Sequence, residues 1–124
     1  MTRGGARARA QATRLNAVFA ALADPTRRAI IEQLARGEAR VTEVAEPFAM
    51  SLNAVSKHIL VLESIGLVRR RVAGRDHFLT FDRGPLEAAY GWIEGARTFW
   101  NARLDEMERL LREQAGGGER THAK

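Results

Sequence analysis

The hydrophobic period of this chain changes twice along its length. From Leu15 to Ser64 apolar residues recur every three or four positions, from Leu67 to Phe81 they fall into two short runs around a glycine, and from Leu86 to Glu113 helical spacing returns. A helix-period stretch does not settle as a strand, nor the reverse, so a small β element must be inserted between helices. The expected class is mainly α with a small β-hairpin. Leu15, Val18, Phe19 and Leu22 form the stripe of a first helix, and Asp24-Pro25 reads as N-cap and first residue of a second, with Ile30, Ile31 and Leu34 inward and Gly37 closing it. Thr42 is the expected cap of a short third helix carrying Val44, Ala45 and Phe48, which Pro47 shortens or distorts. Ser51 caps a fourth helix over 51–64, and Gly66 ends it. Leu67–Val72 and His77–Phe81 flank the turn Ala73-Gly74-Arg75-Asp76 as a hairpin, and Gly84-Pro85 breaks it before a long last helix.

A chain of 124 residues fits one domain, expected over 13–113 between a disordered basic arm, 1–12, and a disordered tail, 114–124, that contains three consecutive glycines. No cysteine is present, which excludes disulfides, zinc ribbons and thiol chemistry. The net charge of +5 is unevenly spread: +4 over residues 1–14, −1 over 15–50, +3 over 51–84 and −2 over 85–113. A basic middle favours a polyanionic partner. No run approaches the apolar length of a membrane span, so a cytoplasmic protein that enters no membrane is expected. Enzyme readings fail for want of parts: there is no Gly-rich phosphate loop, no nucleophile elbow and no paired carboxylates.

Three short helices followed by a basic hairpin are the order of a winged helix-turn-helix, in which the last helix of the trio enters the major groove. At about 100° per residue, Ile59, Leu62 and Gly66 lie within about 40° of Val55, while Asn53, Lys57 and Ser64 lie opposite and Ala54 and Ser56 flank. Asn pairs with adenine, Lys with guanine or phosphate, Ser with several base edges, and Ala touches a thymine methyl. Ser51, Asn53, Ala54, Ser56, Lys57 and His58 are therefore the candidate DNA-contacting residues of helix 52–64, although any capped surface helix presents a similar face. In the wing, 68–82, Arg69 and Arg71 share one strand face and Arg70 takes the other. Arg70, Arg71 and Arg75 complete the candidate set, with Gly74 letting the tip approach a phosphate or the minor groove. His58 is read as a packing or phosphate-facing residue and His77 as DNA-proximal or solvent-facing, neither as a ligand.

The segment 19–81, and within it the runs ALADPTRR, SLNAVSKHI and LESIGLVRRRVAGR, resembles the ArsR/SmtB-type winged helix-turn-helix repressors. The resemblance implies a homodimer that binds double-stranded DNA at an inverted repeat, and an effector that releases it. Metal-sensing members carry cysteine ligands on the third helix or Asp and His ligands on the last. Here residues 42–46 read Thr-Glu-Val-Ala-Glu, residues 85–113 hold no histidine, and only His58, His77 and His122 occur in all. The chain thus looks like the metal-independent branch, with no cofactor and with the small-molecule effector unknown.

Leu86, Tyr90, Ile93, Arg97, Trp100, Leu104, Met107 and Leu111 step alternately by four and three, a heptad seam broadened by Ala89, Ala96, Phe99 and Leu110. A stripe this wide suits a long C-terminal dimerisation helix. Leu15, Phe19, Tyr90, Ile93, Trp100, Leu104, Met107 and Leu111 are the candidate dimer residues, with Arg97 expected either to meet an acid such as Glu94 or Asp105 across the dimer or to face a solvent gap where the helices diverge. A small ligand lodged against Trp92, Phe99 and Trp100 is the alternative use of this group. Two other readings compete: a helical protein-interaction module using the same seam, and a binder of DNA without sequence preference. With no cysteine and three scattered histidines, zinc, cobalt or cadmium titrated to stoichiometry into a protein–DNA complex should leave its affinity unchanged, as read by fluorescence anisotropy.

Overall fold

The computed structural model describes the backbone of residues 3–123 and the side chains of residues 4–116. The elements in order are α1 (Arg3–Leu22), α2 (Pro25–Ala35), β1 (Ala39–Arg40), α3 (Val41–Ala45), α4 (Leu52–Ser64), β2 (Val68–Ala73), β3 (Asp76–Phe81) and α5 (Gly84–Ala123). They divide into two compact units, Met1–Ala89 and Tyr90–Lys124.

Within the first unit the helix ends follow local chemistry. The Asp24 carboxylate accepts from the Arg27 N–H at 3.3 Å with Pro25 at the head of α2, and the Ser51 hydroxyl accepts from the Ala54 N–H at 3.1 Å to start α4. Gly66, at φ 79°, ends α4 in a Schellman turn: its N–H donates to the Glu63 carbonyl at 3.1 Å and the Leu67 N–H donates to the Leu62 carbonyl at 3.0 Å. The turn drops Leu67 directly into the core. Gly74, at φ 64°, opens a two-residue hairpin turn with Arg75, the sign pattern of type II′.

Val55, Ile59 and Leu62 on one side of α4 are buried with Ile30, Ile31 and Leu34 of α2, Val44 of α3, and Leu67, Val68 and Leu79 from the sheet side. Ala21 of α1 closes this core, and Leu86, in the first turn of α5, packs against it. The sheet has the order β1-β3-β2, all antiparallel, with Val68↔Phe81 through Ala73↔Asp76 pairing the hairpin.

Four expectations differ from what is observed. The hairpin is a three-stranded sheet, because Ala39 and Arg40 pair with Leu79 and Phe78; two residues carry no readable period. The cap of α3 is not Thr42. The helix starts one residue before it, and the Arg40 N–H donates to Glu43 Oε1 at 3.0 Å. Helix α1 begins at Arg3, inside the segment read as a disordered arm, where alternating Ala and Arg from Ala6 to Ala10 have high helix propensity. Helix α5 begins at Gly84 and continues to Ala123, through the segment read as a disordered tail, since extending a formed helix needs no new nucleus. Pro47 acts as expected: α3 stops at Ala45, and its last turn tightens, with the Glu46 N–H donating to the Glu43 carbonyl at 3.3 Å.

The second unit is the remainder of α5, with Tyr90, Trp92, Ile93, Phe99, Trp100, Leu104, Met107, Leu110 and Leu111 all exposed. Among the described residues no helix is long and apolar enough to cross a membrane. A Cβ built on Gly66 would meet nothing closer than Pro85 Cγ at 3.6 Å, an ordinary contact. Gly66→Ala should therefore lose about 1–2 kcal/mol through its left-handed backbone alone, read as a lowered urea midpoint with an unchanged slope.

Candidate nucleic-acid interface

Because one side of α4 is buried, the other is fixed in direction. Asn53, Lys57 and Ser64 are exposed, and Ala54 and Ser56 are half-buried at the margins, as the wheel requires. Lys57 has no acidic partner among the described residues. Ser51 is exposed, but its hydroxyl oxygen already accepts the capping bond.

His58 lies elsewhere. Its Nδ1 accepts from Arg27 Nε at 3.2 Å and stands 3.6 Å from Asp24 Oδ2, so it braces α4 against the start of α2. That placement agrees with the packing reading of His58 and turns it away from a free DNA-facing role.

The wing sorts its arginines by strand face. Arg69 and Arg71 are largely exposed, whereas Arg70, on the inner face, keeps only a quarter of its side chain in solvent. Arg70 Nη2 donates to Glu63 Oε1 at 2.6 Å, its Nε lies 3.2 Å from both carboxylate oxygens, and Nη1 lies 3.0 Å from His77 Nδ1. This forked pair ties the last turn of α4 to both strands of the hairpin. Arg70, a candidate DNA contact by sequence, is thus committed within the fold. Arg71 donates to Glu38 Oε1 at 2.8 Å and lies 4.5 Å from the centre of the Phe78 ring, with Arg40 at 5.5 Å from the same ring. Arg71 remains more than half exposed and is half engaged.

Arg69 pairs with Asp82, 2.8 Å from Nη2 and 2.9 Å from Nε. The Asp82 carboxyl is held below the usual carboxylate range, first by the Gly84 N–H it accepts at 2.9 Å and then by Arg69. Its contribution is complete above the ordinary carboxylate pKa and is lost only as pH falls through the lowered one. Asp82 therefore joins the end of the wing to the start of α5. Arg75, at the hairpin tip, is exposed and has no partner among the described residues. Of the candidate set, then, Asn53, Ser56, Lys57 and Arg75 present accessible polar groups, while His58 and Arg70 act as braces. Their partners Arg27 and Glu63, like Glu38 beside Arg71, were not singled out by sequence, because an ion pair between distant elements leaves no local pattern.

Of the candidate dimer residues, Leu15 and Phe19 are half-buried on α1, and the six on α5 are exposed. Arg97 reaches Glu94 of its own helix at 3.5 Å. Among the described residues no group of three or more His, Asp or Glu is placed to hold a metal ion.

A capped helix with a polar outward face, packed at right order behind two shorter helices and beside a basic antiparallel hairpin, defines a winged helix-turn-helix protein. Comparison with known proteins agrees. Residues 22–71 match the helix-turn-helix domain family. The HTH-type transcriptional regulator Rv2034 of Mycobacterium tuberculosis is 38% identical over 91 residues, covering 73% of this chain and 82% of the relative. A crystal structure of the ArsR family transcriptional regulator RHA00566 superposes with a TM-score of 0.69 at 40% identity, over 72% of this chain and 92% of that one. The homodimeric winged helix-turn-helix DNA-binding domain of a possible ArsR-family regulator from Mycobacterium bovis is 25% identical, with a TM-score of 0.58 over 80% and 91% of the two chains. This chain belongs to the ArsR family of helix-turn-helix transcriptional regulators, which are not enzymes.

The two kinds of arginine should separate in one experiment. Arg70→Ala strands the half-buried Glu63 and should cost about 1–3 kcal/mol of stability. Arg75→Ala should leave stability within about 0.5 kcal/mol and weaken specific and non-specific DNA binding by similar factors. Chemical denaturation of both variants, with titration of a selected and a scrambled duplex, checks this.

Proposed function

We propose that this protein is a cytoplasmic repressor that binds an inverted-repeat operator as a homodimer, with helix 52–64 in the major groove and wing 68–82 alongside. The observation that carries the reading is the outward side of α4, where Asn53 and Lys57 are exposed and unencumbered on a helix whose rotation is fixed by its buried side. Asn53 supplies a bidentate partner for adenine, and Lys57 a donor for guanine or phosphate. Arg75 at the tip adds a cation that approaches a phosphate without sequence preference.

One reading helix spans only a few base pairs, so selectivity needs two of them at a fixed separation of about 34–36 Å or a multiple. The exposed seam Tyr90, Ile93, Trp100, Leu104, Met107 and Leu111, with Leu15 and Phe19 of α1, supports a second copy as the tie. The similar Mycobacterium bovis domain is itself described as homodimeric. A dimer seated over its operator represses by occupancy and needs no further domain. The same exposed seam favours the second reading, a helical protein-interaction module, and that reading predicts no steep dependence on salt.

Selection from a random duplex library should return a palindromic consensus, whereas no preferred sequence would leave a non-specific DNA binder. Leu104→Glu places a charge in the seam and should yield a monomer in analytical ultracentrifugation with operator binding lost. A variant that stays dimeric and active would remove α5 from the dimer.

A further inference from the structure

At the start of α4, on the margin between its buried side and the polar reading set, stands an apolar residue that neither accounts for. Leu52 is the first helical residue after the Ser51 cap, and 51% of it is exposed. By the helical wheel it stands about 40° from Ser56 and about 60° from the buried centre at Val55. Met50, just before the cap, is exposed beside it in sequence at 39%. An apolar side chain is therefore held at the end of the helix that enters the groove.

We propose that Leu52 is a specificity-determining residue that reads the 5-methyl group of a thymine; the inference rests on the major-groove placement of α4 given above. The chemistry of the groove leaves little choice. Leucine has neither donor nor acceptor, so it cannot distinguish the polar edges of A, G or C, and the single apolar group that a base pair shows there is the thymine methyl. Against any other base, Leu52 covers a hydrated polar edge and leaves that group without its water. Against thymine, two apolar surfaces leave water together. Asn53, the next residue and about 100° further round the helix, suits adenine, so the first turn as a whole selects A·T pairs. Leu60 is also exposed, at 57%, but sits two turns further along α4, away from the end that contacts base edges, and serves as the comparison residue.

The test uses the full-length protein and the operator returned by library selection, with each thymine of a half-site replaced singly by deoxyuridine. That exchange keeps base pairing and removes only the methyl. One position should weaken wild-type binding about fourfold, the factor expected for one methyl-sized group, and replacement in both half-sites should weaken it about fifteenfold. Leu52→Ala, an exposed position whose fold is checked by circular dichroism, should bind the thymine and uracil operators equally, while Leu60→Ala keeps the preference. Sequence-specific binding with no loss at any uracil, or a loss that persists in Leu52→Ala, overturns the role of Leu52 and leaves the groove reading standing. Absence of any selected sequence removes both.

Discussion

The burial of Val55, Ile59 and Leu62 is the constraint from which the rest of the first unit follows. These three side chains are wholly buried, and each contributes about 1.5–3 kcal/mol relative to exposure. Turning α4 by one residue would expose two of them and drive Lys57 or Ser56 inward, a penalty no single surface hydrogen bond offsets. The rotation of the helix is therefore decided by its apolar side, and the direction of Asn53 and Lys57 is a consequence. The Ser51 cap sets where that face begins. The turn at Gly66 sets where it ends and places Leu67 so that the first wing strand starts from the core.

Electrostatics then divides the basic residues into two groups. The fork between Arg70 and Glu63, with His77 beside it, holds the hairpin to the end of the reading helix, and Arg69–Asp82 and Arg71–Glu38 tie the two sides of the wing to its neighbours. Those cations are neutralised by the fold and add little to the field felt by a polyanion. Within α4 and the hairpin, Lys57 and Arg75 are the basic side chains without an acidic partner among the described residues. A wing with three consecutive arginines thus presents much less free charge than its sequence suggests.

This division explains what was legible in the sequence. Helix order, the Asp24 and Ser51 caps, the glycine stop at Gly66, the hairpin and the alternation of Arg69, Arg70 and Arg71 are written in spacing over a few residues, and the structure matches them. The wheel likewise placed Asn53 and Lys57 outward. Strand β1 was not legible, since two residues paired across a long loop show no alternation. Nor were the commitments of Arg70 to Glu63 and of His58 to Arg27, which depend on tertiary approach. The helical start of α1 is readable from its alanines, but Gly4, Gly5 and the scarcity of large apolar residues in that segment argue against an amphipathic helix.

The charges of α5 bear on how a second copy would be chosen. Arg97 pairs with Glu94, Arg109 with Glu113 and Arg112 with Glu108, all one turn apart on the same helix. These pairs are exposed and solvent-screened, so each contributes little, and exchanging one for a charge across an interface gains little more. Discrimination in the proposed dimer therefore falls to the apolar seam. There the aromatic pair Phe99 and Trp100, stacked at 5.6 Å between ring centres, offers a broad and stiff surface. A two-fold axis sets like against like, so each large side chain must meet its own copy or a smaller neighbour. Ala96, about 70° from the centre of the seam, is the small position beside it, whereas Gly91 and Gly95 lie about 150–170° round on the far side of α5 and take no part in that packing.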